Sequence, residues 1–83
     1  MDSLQAVVFE TLTAEVMDTL PPDRWAVARI MTCMVQTDPY RWPTARDGAE
    51  LREARFGCCR MQYTVTDGAV EIQGIGWNEA QSG

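Results

Sequence analysis

An 83-residue chain is one small domain, and its 46% hydrophobic share supports a single core and excludes a disordered chain. A net charge of −5 disfavours long-range attraction to nucleic acid, and the absence of histidine excludes imidazole acid–base chemistry and leaves too few donors for a zinc site. No apolar run reaches the roughly 18 residues that cross a bilayer, and the stretch after Met1 does not read as a secretory leader. The expected setting is therefore the cytoplasm, with no membrane, metal or cofactor.

Leu4 to Phe9 opens the chain as an apolar run, which suits a strand. A rival pattern overlaps it: Leu4, Val8, Leu12, Val16 and Leu20 recur every four residues, as on a helix. Pro21-Pro22 stops any such helix, and Asp23 is the expected N-cap of the next. In that second helix Val27, Ile30, Met31, Met34 and Val35 share one face, while Arg24, Ala28, Thr32 and Gln36 share the other. Asp38-Pro39 ends it. Tyr40 to Gly48 reads as a loop with two aromatics and two arginines, either a packed connector that tucks Trp42 over a helix end or a contact surface.

Three strands follow. Leu51 to Phe56 is the first, and Gly57 permits a tight turn. Cys58 to Thr66 alternates, with Cys59, Met61, Tyr63 and Val65 on an apolar face and Cys58, Arg60, Gln62 and Thr64 on a polar one. Asp67-Gly68 predicts a type I′ hairpin turn, and Ala69 to Trp77 returns as the third strand. Val70 and Ile72 share a face there. The alternation breaks at Gly74-Ile75-Gly76, which predicts a bulge or a close backbone approach. Arg60 then stands mid-sheet beside Gln62 and opposite Glu71 or Gln73, where a salt bridge to Glu71 or Glu53 is the plain structural role for it. The tail after Trp77 is short and polar.

Charge is unevenly spread along this plan. Residues 1–23 hold five acids and no base, residues 24–60 hold all seven arginines against four acids, and residues 61–83 hold three acids and no base. A locally positive middle offers planar guanidinium forks to phosphate or carboxylate groups. Cys33, Cys58 and Cys59 are odd in number and lack framework spacing, so they read as small apolar residues in a reducing compartment. Cys58 and Cys59 are neighbours in a strand and point to opposite faces.

Gly57, then Arg60-Met61-x-Tyr63-x-Val65, the turn Asp67-Gly68, and Val70, Ile72, Ile75 and Gly76 together resemble the C-terminal sheet of the RelE/ParE superfamily, the toxins of bacterial type II toxin–antitoxin pairs. The resemblance is close over about a third of the chain. It implies an α+β fold over residues 1–83 as one domain: a helical hairpin packed on one face of a small twisted antiparallel sheet. It also favours a short strand at Leu4 to Phe9 followed by a helix from Glu10 to Leu20. Alternation and the helical stripes then place Tyr63, Met61, Val65, Val70 and Ile72 against Leu12, Val16, Ile30 and Met34.

The resemblance also implies where a ribosome-dependent nuclease of this type holds its chemistry. Carried over, the mid-sheet arginine is Arg60, and Arg52 or Arg55 adds a second positive charge on the first strand. The basic residue expected after the last strand's glycine is missing, since Gly76 is followed by Trp77-Asn78, and neither a tail tyrosine nor any lysine is present. Arginine stays protonated and is a poor proton shuttle; Glu53 or Glu71 is a weak base if exposed. Three readings follow: a toxin-like module that binds the translation machinery or DNA gyrase and is neutralised by an antitoxin, an mRNA endonuclease with an arginine-based site at Arg60, Arg55 and Arg52, or an interaction domain that is not toxic. The expected partner surface is Arg60, Gln62 and Thr64 with Trp77, facing an acidic antitoxin segment.

Overall fold

The central hairpin organises the sheet. In the computed structural model, which describes residues 6–44 and 50–78, the elements run β1 (Ala6–Phe9), α1 (Thr11–Thr19), α2 (Pro22–Thr37), β2 (Arg52–Phe56), β3 (Cys59–Thr66) and β4 (Ala69–Trp77). The sheet order is β1-β4-β3-β2; β1 lies parallel to β4, and the other two pairings are antiparallel. The α+β expectation therefore holds, with one parallel edge strand on a mostly antiparallel sheet. The short strand at the start is present from Ala6, which excludes a continuous helix over Val8 and Leu12. Leu4, Arg46, Gly48 and the tail from residue 79 lie outside the described residues.

β3 alternates as expected: Cys59, Met61 and Tyr63 are fully buried, and Cys58 is exposed. Val70 and Ile72 of β4 meet them in the core, with Val65 partly buried beside them. A β-bulge then changes the parity of β4. Tyr63 pairs with Ile72 but Gln62 pairs with Gly74, so Gln73 is the extra residue. Beyond it Ile75 pairs with Met61 and Trp77 with Cys59, and both pack on the core. The bulge frees a backbone carbonyl, and Thr13 of α1 answers it. Thr13 is buried, and its hydroxyl donates to the Gln73 carbonyl at 3.0 Å.

That contact sets the orientation of α1. Leu12 and Val16, expected inside, are 67% and 41% exposed, because the helix turns Thr13 toward the sheet. Glu10 caps α1 by accepting from the Leu12 and Thr13 amides at 3.0 and 3.2 Å. In α2 the buried residues are Ala28, Met31 and Val35, while Ile30 faces outward at 49% exposure. The expected stripe was therefore turned by part of a helical turn. Alanine has no bulk beyond Cβ and allows close approach to the sheet, so Ala28 lies inward where the larger Ile30 was expected.

Two terminus expectations change as well. Helix α2 starts at Pro22 with Pro21 as its N-cap, because proline fits the first helical position where no amide partner is needed. Asp23 sits in the first turn, where its charge complements the helix dipole. The β3–β4 turn is not type I′: among the described residues only glycines have positive φ, so Asp67 keeps a negative φ while Gly68 takes +73°. Tyr40 to Thr44 is the packed connector. Trp42 packs on the core, its carbonyl accepts from Arg52 Nη1 at 2.6 Å, and Thr44 bridges to Arg52 at the β2 edge. Tyr63 closes the same region from below, its hydroxyl donating to the Pro39 carbonyl at 2.6 Å.

Thr13→Val keeps the shape of the side chain and orphans the bulge carbonyl, so it should cost about 1–3 kcal/mol. Leu12→Ala, on the exposed side of the same helix, should stay within about 0.5 kcal/mol. Urea melts of the two variants make the comparison.

Burial, and then the neighbouring Cys58, raise the Cys59 thiol from 9.0 to about 11. A folded-state value above the unfolded one stabilises fully below pH 9.0, and that contribution is lost as pH rises through about 11. The loss amounts to about 2–3 kcal/mol. Burial also raises Tyr63 above 10.0, so the decline continues further into alkali. Cys59→Ala should flatten the first part of that decline in melts collected between neutral and alkaline pH.

Candidate functional site

The sheet face turned away from the helices collects the polar half of each strand. Residues paired directly across antiparallel strands share a face. Arg55 is paired with Arg60, Glu53 with Gln62, and Thr64 with Glu71. On the β4 side Arg60 is paired with Gly76 and Gln62 with Gly74. The expected partners for Arg60 on β4 were Glu71 or Gln73; the strand register puts Gly76 there instead.

Glu53 ties this face together. Its Oε1 lies 3.7 Å from Arg55 Nη2, and its Oε2 lies 3.6 Å from Arg60 Nη1. Gln62 Nε2 donates to the same Oε2 at 3.3 Å. The Glu53 side chain is 18% exposed, against 39% for Arg60 and 69% for Arg55. Of the two carboxylates expected to meet Arg60, Glu53 is the one that does.

The two glycines of β4 form the floor. A Cβ at Gly76 would sit 3.3 Å from Arg60 Nη2, and one at Gly74 would sit 3.0 Å from Gln62 Oε1. Arg60 and Gln62 therefore lie across bare backbone. Arg60 Nε is buried there without a hydrogen-bond partner among the described residues. The Gly74-Ile75-Gly76 signal was legible as a close approach; which side chains approach was not, because the bulge one residue earlier decides it.

The predicted site residues divide. Arg55, Arg60, Gln62 and Thr64 stand together on the open face. Arg52 does not join them: it pairs with Tyr63 on the helix-side face, holds the Trp42 carbonyl, and stacks over Tyr40 with its guanidinium carbon 5.0 Å from the ring centroid. Trp77 is also on the helix side, paired with Cys59 and covered by Arg24 at 5.0 Å. Both departures have one cause each: strand parity for Arg52, and the bulge for Trp77. Arg29 over Trp25 and Arg41 over Trp42 repeat the stacking. Among the described residues, Arg55 and Arg60 are thus the arginines committed to a carboxylate on the open face.

The helix side carries a different surface. Val7, Phe9, Met17, Trp25, Arg29, Thr32, Cys33 and Gln36 line a cleft of about 370 Å³ that is mainly apolar. Sequence periodicity missed it, because Met17 falls outside the expected stripe of Leu12 and Val16, and Thr32 and Gln36 were read as the polar face of α2. No helix among the described residues is long and apolar enough to cross a membrane.

The chemistry open to the sheet face is anion binding. Two guanidiniums side by side hold negative charge well but move no proton at neutral pH. The carboxylate within reach is engaged by both.

No protein-family model matches the chain, and no curated protein matches it. Solved structures do. The toxin–antitoxin complex RelBE2 from Mycobacterium tuberculosis matches with a TM-score of 0.80 and 25% identity, over 96% of this chain and 98% of that one. The isolated RelE toxin of E. coli matches at 0.77 and 14% identity, over 94% of this chain and 88% of that one. The archaeal RelE–RelB complex from Pyrococcus horikoshii OT3 matches at 0.72 and 15% identity, over 93% and 98%.

Gly76→Val should lift Arg60 from its glycine floor and carry Arg60 Nη1 beyond ion-pair distance of Glu53. The cost in stability should stay within about 1 kcal/mol, since the displaced atoms are the free end of a long side chain and valine suits a strand. A crystal structure of the variant, with a urea melt beside it, reads both quantities.

Proposed function

We propose that this chain, which has the fold of the RelE toxins over nearly its full length, is the toxin component of a type II toxin–antitoxin pair that acts in the cytoplasm by binding, not by cutting. The observation that carries the reading is the open sheet face. It sets Arg60 and Gln62 on a glycine floor with Arg55 paired beside Arg60, and its nearby carboxylate is tied up in ion pairs. Cleavage of RNA needs a group to take a proton from the 2′-hydroxyl and another to return one to the leaving oxygen. The sequence has no histidine or lysine for either task.

A binding toxin needs a surface that a target and an antitoxin compete for. The Arg55–Arg60 face fits that need, because guanidinium is weakly hydrated and forks onto carboxylates. An acidic antitoxin segment is its natural occupant, and the apolar cleft on the helix side is a second surface open to a partner that wraps. The endonuclease reading draws on the same arginines, which would stabilise developing phosphate charge; it lacks the proton-transfer groups.

Induced expression in a bacterial host tests the proposal. The expected result is growth arrest, relieved by co-expression of a cognate antitoxin sought in the adjacent reading frame, with no codon-phased 5′ ends in the mRNA of translating ribosomes. Codon-phased cuts that vanish in Arg60→Ala would establish the endonuclease reading instead. Arg60→Glu should weaken antitoxin binding by more than about tenfold, as a charge-assisted contact becomes repulsive. Glu15→Gln on α1 should change it by less than about twofold.

A further inference from the structure

We infer that Glu53 is an internal counter-ion that keeps nucleic acid off the arginine face and reserves that face for a carboxylate-bearing peptide. The inference rests on the reading of this face as a docking site for an acidic partner. Its carrier is a mismatch between charge and hydrogen bonding. Glu53 meets Arg60 and Arg55 at 3.6 and 3.7 Å, which is ion-pair distance and longer than a hydrogen bond. The guanidiniums are therefore compensated in charge while the donors of their exposed ends, on side chains 39% and 69% exposed, stay available. A ligand gains here by supplying one carboxylate and further acceptors, and gains little from negative charge repeated along its length.

A phosphodiester strand brings one negative charge per nucleotide and binds through release of condensed counter-ions, which requires uncompensated cations. Arg55 and Arg60 minus Glu53 leave a local surplus of one positive charge on a chain of net charge −5. That surplus is too small to hold a strand. A peptide carboxylate needs only one guanidinium fork, and peptide carbonyls can answer the remaining donors without adding charge. Glu53 cannot easily leave. Its side chain is 18% exposed, sits between both arginines, and accepts from Gln62 at 3.3 Å.

The test uses the purified full chain and a short fluorescent single-stranded oligouridylate, read by anisotropy at low and moderate salt. Glu53→Gln keeps the size of the side chain and removes the charge. It should bind the oligonucleotide at least about tenfold more tightly than the wild type, with a salt dependence steeper by about one counter-ion. Arg60→Gln added to Glu53→Gln should take the gain away. Glu71→Gln removes the same charge from the same face outside the arginine pair, and should change affinity by less than about twofold. The inference fails if the wild type already binds as tightly as Glu53→Gln, if a Glu53→Gln protein with an unaltered melt gains nothing, or if Glu71→Gln gains equally. None of these results touches the toxin reading, which growth arrest tests without any oligonucleotide.

Discussion

The hydrogen bond from Thr13 to the Gln73 carbonyl holds the β4 bulge, and the bulge decides what each face of the sheet contains. Without the extra residue, the positions beyond Ile72 would continue in the old parity. Gly74 and Gly76 would then face the helices, and Ile75 and Trp77 would face out. One inserted residue reverses this, sending two apolar side chains inward and two glycines outward. A bulge leaves a backbone group without its ladder partner, and a buried carbonyl in that state is costly. Thr13 supplies the donor from the first turns of a helix whose cap, Glu10, also donates its own amide to the Ile72 carbonyl at 3.0 Å. The β1–α1 junction is thus fastened to β4 at the bulge residue and at the residue just before it.

The open face follows from that geometry. Glycine on β4 lets Arg60 and Gln62 lie flat, and on the other side of β3 the Arg60 head meets Glu53 of β2 at 3.6 Å. Side chains held against a sheet lose less freedom on binding than side chains that extend into water, so a ligand meets a partly ordered site. The remaining arginines that carry ring contacts serve packing. Arg52 joins the connector to β2 through the Trp42 carbonyl and the Tyr40 ring, and Arg24 covers Trp77. Arginine's weak hydration suits both uses.

Alternation in β3 was legible in full, since Cys59, Met61 and Tyr63 follow a strict period of two with a polar residue between each. The three-stranded meander of β2, β3 and β4 could be read from that strand and the two glycine turns, whereas β1 was favoured only through the resemblance and its parallel pairing with β4 was not foreseen. Helix faces were not legible to the same degree. The inward choice of Thr13 over Leu12 depends on a carbonyl sixty positions later in the chain, and no local pattern carries that information. Arg52 was grouped with Arg55 and Arg60 through the family resemblance, although a three-residue spacing from Arg55 places it on the other face of a strand. Trp77 could be assigned only by knowing that the bulge precedes it. The turn at Asp67 had the residues of a type I′ hairpin; a negative φ there costs Asp67 nothing and leaves the strain-free positive φ to Gly68.

A binding role and a cutting role place different demands on the same arginines. For cutting, charge must be stabilised where it develops in the transition state, and the groups around it must be free to exchange protons. An engaged carboxylate between two guanidiniums works against both needs: it lowers the net field at the phosphate position, and its two oxygens are already taken by ion pairs. For binding a peptide, the same carboxylate is useful. It keeps two like charges close without mutual repulsion, so Arg55 can stand opposite Arg60 across a strand pair where bare guanidiniums would destabilise the sheet. The face can then be built into a small domain of marginal stability and still present donors to an incoming acidic segment. Glu53 thereby stabilises the arginine pair in the fold and limits the class of ligand it accepts, and both consequences come from one carboxylate on β2.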